Sequence, residues 1–296
     1  MANKKIGVIG IPGKWSTETL ADALEDRTGF RLVIDMAGVE ADLATGRLAW
    51  RGDDLCALDG LVVKKATETY DPNTLDRLEL LRLAERAGVR VFSPATSILR
   101  LIDRLACTVT LRNGGIPMPD TRVTENSEAA IKAVKDFGRA VFKPLYSTKA
   151  RGMALINADR PDAEIARDVE AFRAGNPMMY IQRKLNLSGR DLGMVFLGGA
   201  YLGAYARVSQ DGAWNTTIHS GGKYAPFDPP ADIIDMARRA QALFNMDFTT
   251  VDVALTDQGP IVFEVSAFGG FRGAKEGIGI DAASLYADYV LEGVSS

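Results

Sequence analysis

Apolar and polar positions repeat with different periods along the chain, and the changes of period divide it. Residues 6–10, IGVIG, are an unbroken apolar run closed by the turn residues Ile11, Pro12 and Gly13. Such a run reads as a buried strand, and the repeat over 17–27 reads as a helix. Strands are also expected over 30–35, 61–64 and 89–92, with a small β element over 48–58 that turns at Gly52 and Asp53. After Asp71, Pro72 and Asn73, a helix over 75–87 carries Leu75, Leu78, Leu81 and Leu83. This alternation describes an open parallel sheet over residues 1–95. The strand-loop-helix opening can cradle phosphate, but Gly10 and Gly13 fall short of a full dinucleotide or P-loop fingerprint and equally suit a plain turn.

Beyond Ser93 and Pro94 the pattern predicts one helix over 97–113, ended by Gly114 and Gly115, then an extended Ile116, Pro117, Met118 and Pro119. A helix over 128–137 precedes the strand AVFKP, 140–144, with Lys143 near its end. Ser147, Thr148, Lys149, Ala150, Arg151 and Gly152 form a loop to a strand over 153–156. Such a strand-loop-strand folds its amides over phosphates or is a solvated hairpin. A helix over 163–174 and a strand over 178–183 come next. The chain then turns β-rich: 192–197 and 201–208 pair through Gly198 and Gly199, and 214–219 leads into Ser220, Gly221, Gly222 and Lys223. Amphipathic helix is expected over 233–244, and a last helix over 282–291.

Between those helices two β-branched runs, 251–255 and 261–265, flank the loop Thr256, Asp257, Gln258 and Gly259. Antiparallel pairing would bring Asp252 and Glu264 together. Facing acids repel and are costly to bury, so they are either solvated or share a divalent cation. Mg²⁺ prefers a few carboxylates plus substrate phosphates to a complete protein cage, which points to a nucleotide.

A chain of 296 residues, 47% hydrophobic, can bury a large core and suggests about two domains. Net charge is −3 with the signs interspersed, so no basic field for nucleic acid is present and small molecules or local protein surfaces are the expected partners. Cys56 and Cys107 are too few and too distant for a disulfide framework or a zinc site. No signal-like segment opens the chain and no apolar run nears about 18 residues, so no membrane span and a cytoplasmic location are expected. No Ser-His-Asp or Cys-His arrangement suggests a side-chain nucleophile.

Lys143, the run Gln182, Arg183, Lys184 and Leu185, then Arg207, Asp252 and Glu264 follow one another in an order that resembles the ATP-grasp superfamily. More narrowly the chain resembles the RimK-type carboxylate-amine ligases, and among them the GAK-system ATP-grasp proteins. The resemblance implies an α/β and α+β ATP-grasp fold. Its parts would be an N-terminal parallel-sheet unit (1–95), a central unit with a phosphate lid (96–182) and a C-terminal antiparallel-sheet unit with a metal site (183–296). It implies ATP, Mg²⁺ with Mn²⁺ as an alternative, small-molecule or peptide carboxylate and amine substrates, and a homodimer or homotetramer.

Carried over residue by residue, the resemblance gives Lys143 to the α- and β-phosphates. Ser147, Thr148, Lys149 and Arg151 fall in the lid, and Gln182, Arg183, Lys184 and Leu185 at the adenine. Asp191 would lie near the ribose. Asn215, Thr216 and Thr217 would meet nucleotide and metal-bound phosphate. Arg207 would neutralise the forming acyl phosphate, with Arg104 and Lys143 assisting. Asp252, Glu264 and Ser266 would hold metal, while His219, Ser220, Gly221, Gly222, Lys223 and the stretch 268–275 would face the substrates.

Several positions depart from the family pattern. Arg104 stands where a lysine is usual, Ser147 and Ala150 replace lid glycines, and Ser266 and Thr217 replace asparagines. Ser220 replaces an arginine suited to a carboxylate, which counts against glutamate as the substrate. These departures keep open two alternatives: a degenerate nucleotide-binding regulator or scaffold, and a phosphotransferase on the same fold.

Overall fold

The computed structural model describes residues 4–147, 151–187, 189–208 and 222–295. Its first sheet is parallel. Strand β1 (Ile6–Ile9) leads through the 11–14 loop into helix α1 (Trp15–Thr28) and strand β2 (Val33–Ile34). A three-stranded antiparallel ribbon, β3 (Val39–Asp42), β4 (Arg47–Trp50) and β5 (Asp53–Asp54), interrupts before β6 (Gly60–Val63), α2 (Pro72–Arg86) and β7 (Arg90–Phe92). The order β2-β1-β6-β7 reverses direction between β1 and β6. Every residue of β1 and β6 is buried, as a sheet covered on both faces requires.

Helix α2 starts earlier than its leucine repeat suggests. Asp71, Pro72 and Asn73 are its cap and first turn: Asp71 accepts from the Thr74 amide, Thr74 returns the bond, and Pro72 needs no amide partner there. The single helix expected over 97–113 is two, α3 (Ala95–Ile102) and α4 (Arg104–Asn113). Asp103 breaks it with an extended backbone (φ −85°, ψ 108°) and caps α4 by accepting from the Leu105 amide at 2.9 Å.

The central sheet comprises β8 (Thr121–Thr124), β9 (Arg139–Lys143), β10 (Ala154–Asn157) and β11 (Met179–Arg183), in the antiparallel order β10-β9-β11-β8. Helices α5 (Ser127–Phe137) and α6 (Asp162–Gly175) cover it. Its apolar interior is its own: Val134, Phe142, Val169, Phe172 and Ile181 pack together without residues from the other sheets.

The third sheet is antiparallel, with β12 (Arg190–Leu197), β13 (Ala200–Val208), β14 (Lys223–Phe227), β15 (Phe248–Thr256) and β16 (Gly259–Val265) in the order β14-β13-β12-β15-β16. Gly198 and Gly199, both at positive φ, make the β12–β13 turn. Helix α7 (Ala231–Ala242) lies on one side. The closing helix α9 (Ala282–Ser295) begins where the sequence places it and runs past residue 291, whereas helix α8 (Phe271–Ile278), whose glycines mask its period, has no counterpart in the apolar pattern. Ile9, Ile34 and Leu61 of the first sheet share one core with Leu192, Val251 and Val262 of the third. Helix α9 returns to the first sheet, where Tyr286 and Val290 pack with Ile6, Val8 and Phe92.

Candidate active site

A cavity of about 990 Å³ opens where the carboxy edges of β1 and β6, the central sheet and the third sheet converge. Asp252 of β15 and Glu264 of β16 are directly opposed in the register, and both line it. Immediately beyond that pair the register slips, so that Val253 faces Val262 and Phe263 is the extra residue. A bulge of this kind re-aims side chains. Here Phe263 also lines the cavity, beneath the Lys143 ammonium at 5.2 Å.

Arg207 of β13 lies opposite Asp191 of β12. Its Nε donates to Asp191 Oδ2 at 3.0 Å, its Nη2 donates to the same oxygen, and Nη2 stands 3.0 Å from Asp252 Oδ1. Burial alone would lower the guanidinium, but the charges of Asp252 and Asp191 outweigh it and hold Arg207 well above its ordinary value. Burial pushes the Asp252 carboxyl up to about 7 against the pull of Arg207, and Glu264 and Asp191 add repulsion. Oδ1 of Asp191 and Oδ1 of Asp252 are buried with no aligned hydrogen-bond donor. Free carboxylate lone pairs in a repelling cluster are what a cation relieves, so the donor set fits a hard divalent metal. Among the described residues no group of three or more His, Cys, Asp and Glu could hold a metal unaided.

Arg104, the first residue of α4, reaches across to this cluster. It donates to Pro144 O at 3.1 Å, to Glu264 Oε2 at 3.2 Å and to Ser147 O at 3.5 Å. Lys143, at the end of β9, donates to Gln182 Oε1 at 2.5 Å. Burial lowers its ammonium to about 7, with Arg104 reinforcing and Glu264 opposing. Buried Gln182 completes its amide with Thr121 Oγ1 and the Tyr180 hydroxyl, both at 3.2 Å.

Arg183, Lys184 and Leu185 line the cavity, although the Arg183 side chain is turned to Asp120 at 2.9 Å and Lys184 donates to Leu185 O at 2.8 Å. Ser147 and Arg151 line it too, joined by Ser147 Oγ to Arg151 O at 2.7 Å. Thr148, Lys149, Asn215, Thr216, Thr217, His219, Ser220 and Gly221 lie outside the described residues. Gly222 and Lys223 are not in the cavity wall, whereas Tyr224 is. Ser266 is also absent from the wall, though its backbone is fixed by bonds to Thr250 O at 2.8 Å and from Thr249 Oγ1 at 2.6 Å. Asp191 is bound to Arg207 beside Asp252. The sequence reading misses Phe263, Tyr224, Trp15 and Lys64 in the wall. Only the bulge and the packing of distant elements bring these four in.

The sequence profile of the RimK-like ATP-grasp domain matches residues 102–290. The chain belongs to that family. Its reaction class is ATP-dependent carboxylate-amine ligation. This RimK-like protein is 24% identical to the tetrahydromethanopterin:alpha-L-glutamate ligase of Methanosarcina acetivorans, over 97% of this chain and 98% of that one. It is 23% identical to a probable alpha-L-glutamate ligase of Maridesulfovibrio salexigens, over 97% and 95%. Its fold is that of the ATP-grasp ligase PsnB, solved with a precursor variant, Mg and ADP (TM-score 0.77, 17% identity, 99% of this chain and 100% of that). It is also that of a RimK domain protein of Sphaerobacter thermophilus (TM-score 0.73, 22% identity, 97% and 99%).

Proposed function

We propose that this RimK-like ATP-grasp protein binds ATP with Mg²⁺ in the cavity between its central and third sheets. There it converts a substrate carboxylate to an acyl phosphate, which an amine then captures. The observation that carries this reading is the opposed pair Asp252 and Glu264, with Arg207 against the first and Arg104 against the second, in one cavity with Lys143. PsnB, solved with Mg and ADP, supports the choice of nucleotide and metal. The separate core of the central sheet supports the division at residues 96–182, with 1–95 and 183–296 as the flanking units.

Asp252 and Glu264 would hold Mg²⁺, with phosphate oxygens completing the set rather than Ser266, which is absent from the cavity wall; Mn²⁺ suits the same oxygens. The bound ion supplies charge neutralisation at the phosphate oxygens. Lys143 is a compact cation suited to the α- and β-phosphates, and Gln182 orients it. Arg104 ties the segment ahead of the lid to the acidic pair. The carboxylate oxygen attacks the γ-phosphorus and ADP departs, while Arg207 stabilises the charge that develops. The amine nitrogen then attacks the acyl carbon and phosphate leaves. None of this needs a side-chain nucleophile, because positioning and preorganised charge do the chemistry.

The test combines pooled candidate carboxylates, ATP, Mg²⁺ and hydroxylamine. An acyl phosphate is trapped as a hydroxamate with ADP release, whereas a phosphate ester is not. Glu264→Gln should lower Mg²⁺-dependent ADP release by about 10²-fold or more, the scale of losing a preorganised charge contact. Undiminished turnover in that variant would overturn the metal assignment, and ADP release without hydroxamate would overturn the ligase reading.

A further inference from the structure

The cavity extends past the acidic pair to the carboxy edge of the parallel sheet, where the order of strands reverses between β1 and β6. In open α/β sheets, ligands bind at such a point. The wall there is built from the loop after β1, Lys64 and Lys65 after β6, and the segment Gly269, Gly270, Phe271 and Arg272. Lys14, Lys64, Lys65 and Arg272 bring positive charge to it. Glu68 is the acid of that end among the described residues, and Lys14 holds it at 2.8 Å.

Lys64 stands apart from ordinary strand-end lysines. It is only 5% exposed, and its ammonium lies 4.1 Å over the Phe271 ring and 5.9 Å from that of Phe248. It donates to Gly269 O at 2.6 Å. That carbonyl is brought to it by a close approach only glycine permits: a Cβ at Gly269 would stand 2.6 Å from the Phe248 ring. Among the described residues no carboxylate forms an ion pair with Lys64, and the charge that bears on it is that of Lys65. An ammonium has three donors, and burying it without a counter-ion is costly. Aromatic faces and one carbonyl offset part of the cost. A full negative charge would offset the rest.

We infer, resting on the ligase reading above, that Lys64 is the counter-ion for a second anionic group on a substrate, a carboxylate or phosphate distinct from the carboxylate that is activated. The group enters between the 11–14 loop and the segment 269–272. Lys64 then selects for substrates that carry this extra charge.

The test is calorimetry on the full-length protein saturated with AMPPNP and Mg²⁺, with glutarate, inorganic phosphate and butyrate as probes. Glutarate or phosphate should bind more tightly than butyrate. Lys64→Met should weaken the better of the two by about tenfold or more, the size of one charge-assisted hydrogen bond. It should leave the affinity for AMPPNP unchanged. Preference for glutarate assigns the group as a carboxylate, and preference for phosphate assigns it as a phosphate. In the wild-type protein the ¹³Cε resonance of Lys64 should move on adding the preferred anion and stay still with butyrate, a readout that does not depend on the variant folding. A motionless resonance, or equal losses for all three probes, would overturn the inference while AMPPNP binding leaves the ligase reading standing. Failure of AMPPNP to bind would overturn both.

Discussion

Lys64 costs the folded protein stability in a way that pH exposes. Burial lowers its ammonium from 10.5 to about 7. The unfolded chain therefore holds a proton between those values that the folded chain does not. The destabilisation is full below pH 7 and fades as pH rises towards 10.5, because stability rises wherever the unfolded state binds more protons. Lys64→Met removes the buried charge but leaves Gly269 O without its donor. At about pH 6 the variant should be the more stable protein by a few kcal/mol, and at about pH 10 the order should reverse, since the neutral amine still bonds the carbonyl. Urea denaturation of both proteins at the two pH values checks this, and a difference independent of pH would show that Lys64 is not buried as a charge. The sequence alone gives no sign of such a residue, because a strand-end lysine usually carries its head to water. Asp252 and Glu264 are different: their places on two alternating runs joined by a Gly-containing turn let the pairing be read before any coordinates.

Helix α4 owes its start to one residue, and the start fixes Arg104. Were the apolar repeat over 97–113 to continue unbroken, Arg104 would sit within a helix. The cap at Asp103 instead makes it the first residue of α4, from which it reaches Pro144, Ser147 and Glu264. Asp103→Ala should lower stability by about 1 kcal/mol, the usual worth of such a cap, and Asp103→Asn should restore most of it. The KM for ATP should rise in the alanine variant and recover in the asparagine variant. Restored stability with a KM that stays high would separate the cap from the placement of Arg104. The break is hard to read in sequence because the leucine and isoleucine pattern runs across it. Other elements hide for physical reasons of their own. Strand β3 has three exposed residues and one half-buried, so it lacks alternation. Helix α8 contains Gly273 and Gly277, which read as loop. Their missing side chains let the helix approach Tyr205, where a Cβ at Gly273 would stand 2.2 Å from the ring and one at Gly277 2.5 Å from the tyrosine Cβ. Strands β1, β6, β9 and β15 are legible because their apolar runs are short, β-branched or bounded by turns.

At the scale of the molecule, the packing makes two bodies from three sheets. The first and third sheets share a core, and α9 closes it by returning to β7 and α1, where Arg27 donates to Asp288 Oδ1 at 2.5 Å. The central sheet has its own interior, so its cooperative opening need not follow theirs. Phe92 tests this. It is fully buried, meets Tyr289 edge to face at 6.1 Å and carries the Arg90 guanidinium 4.5 Å over its ring. Phe92→Ala should destabilise β1, β6, β7 and α9 by about 3–5 kcal/mol, the cost of emptying a large aromatic site. In native-state hydrogen exchange those elements and β15 should lose protection together, while β9 and β11 keep theirs. Mg²⁺ and AMPPNP, which touch residues of both bodies in the proposed complex, should then raise protection on both sides of the cavity, since a ligand stabilises whatever it binds in the folded form alone. A uniform loss of protection in the variant would mean that the central sheet is not an independent body. The cavity would then lie within a single cooperative unit, and ligand would raise protection across it as a whole.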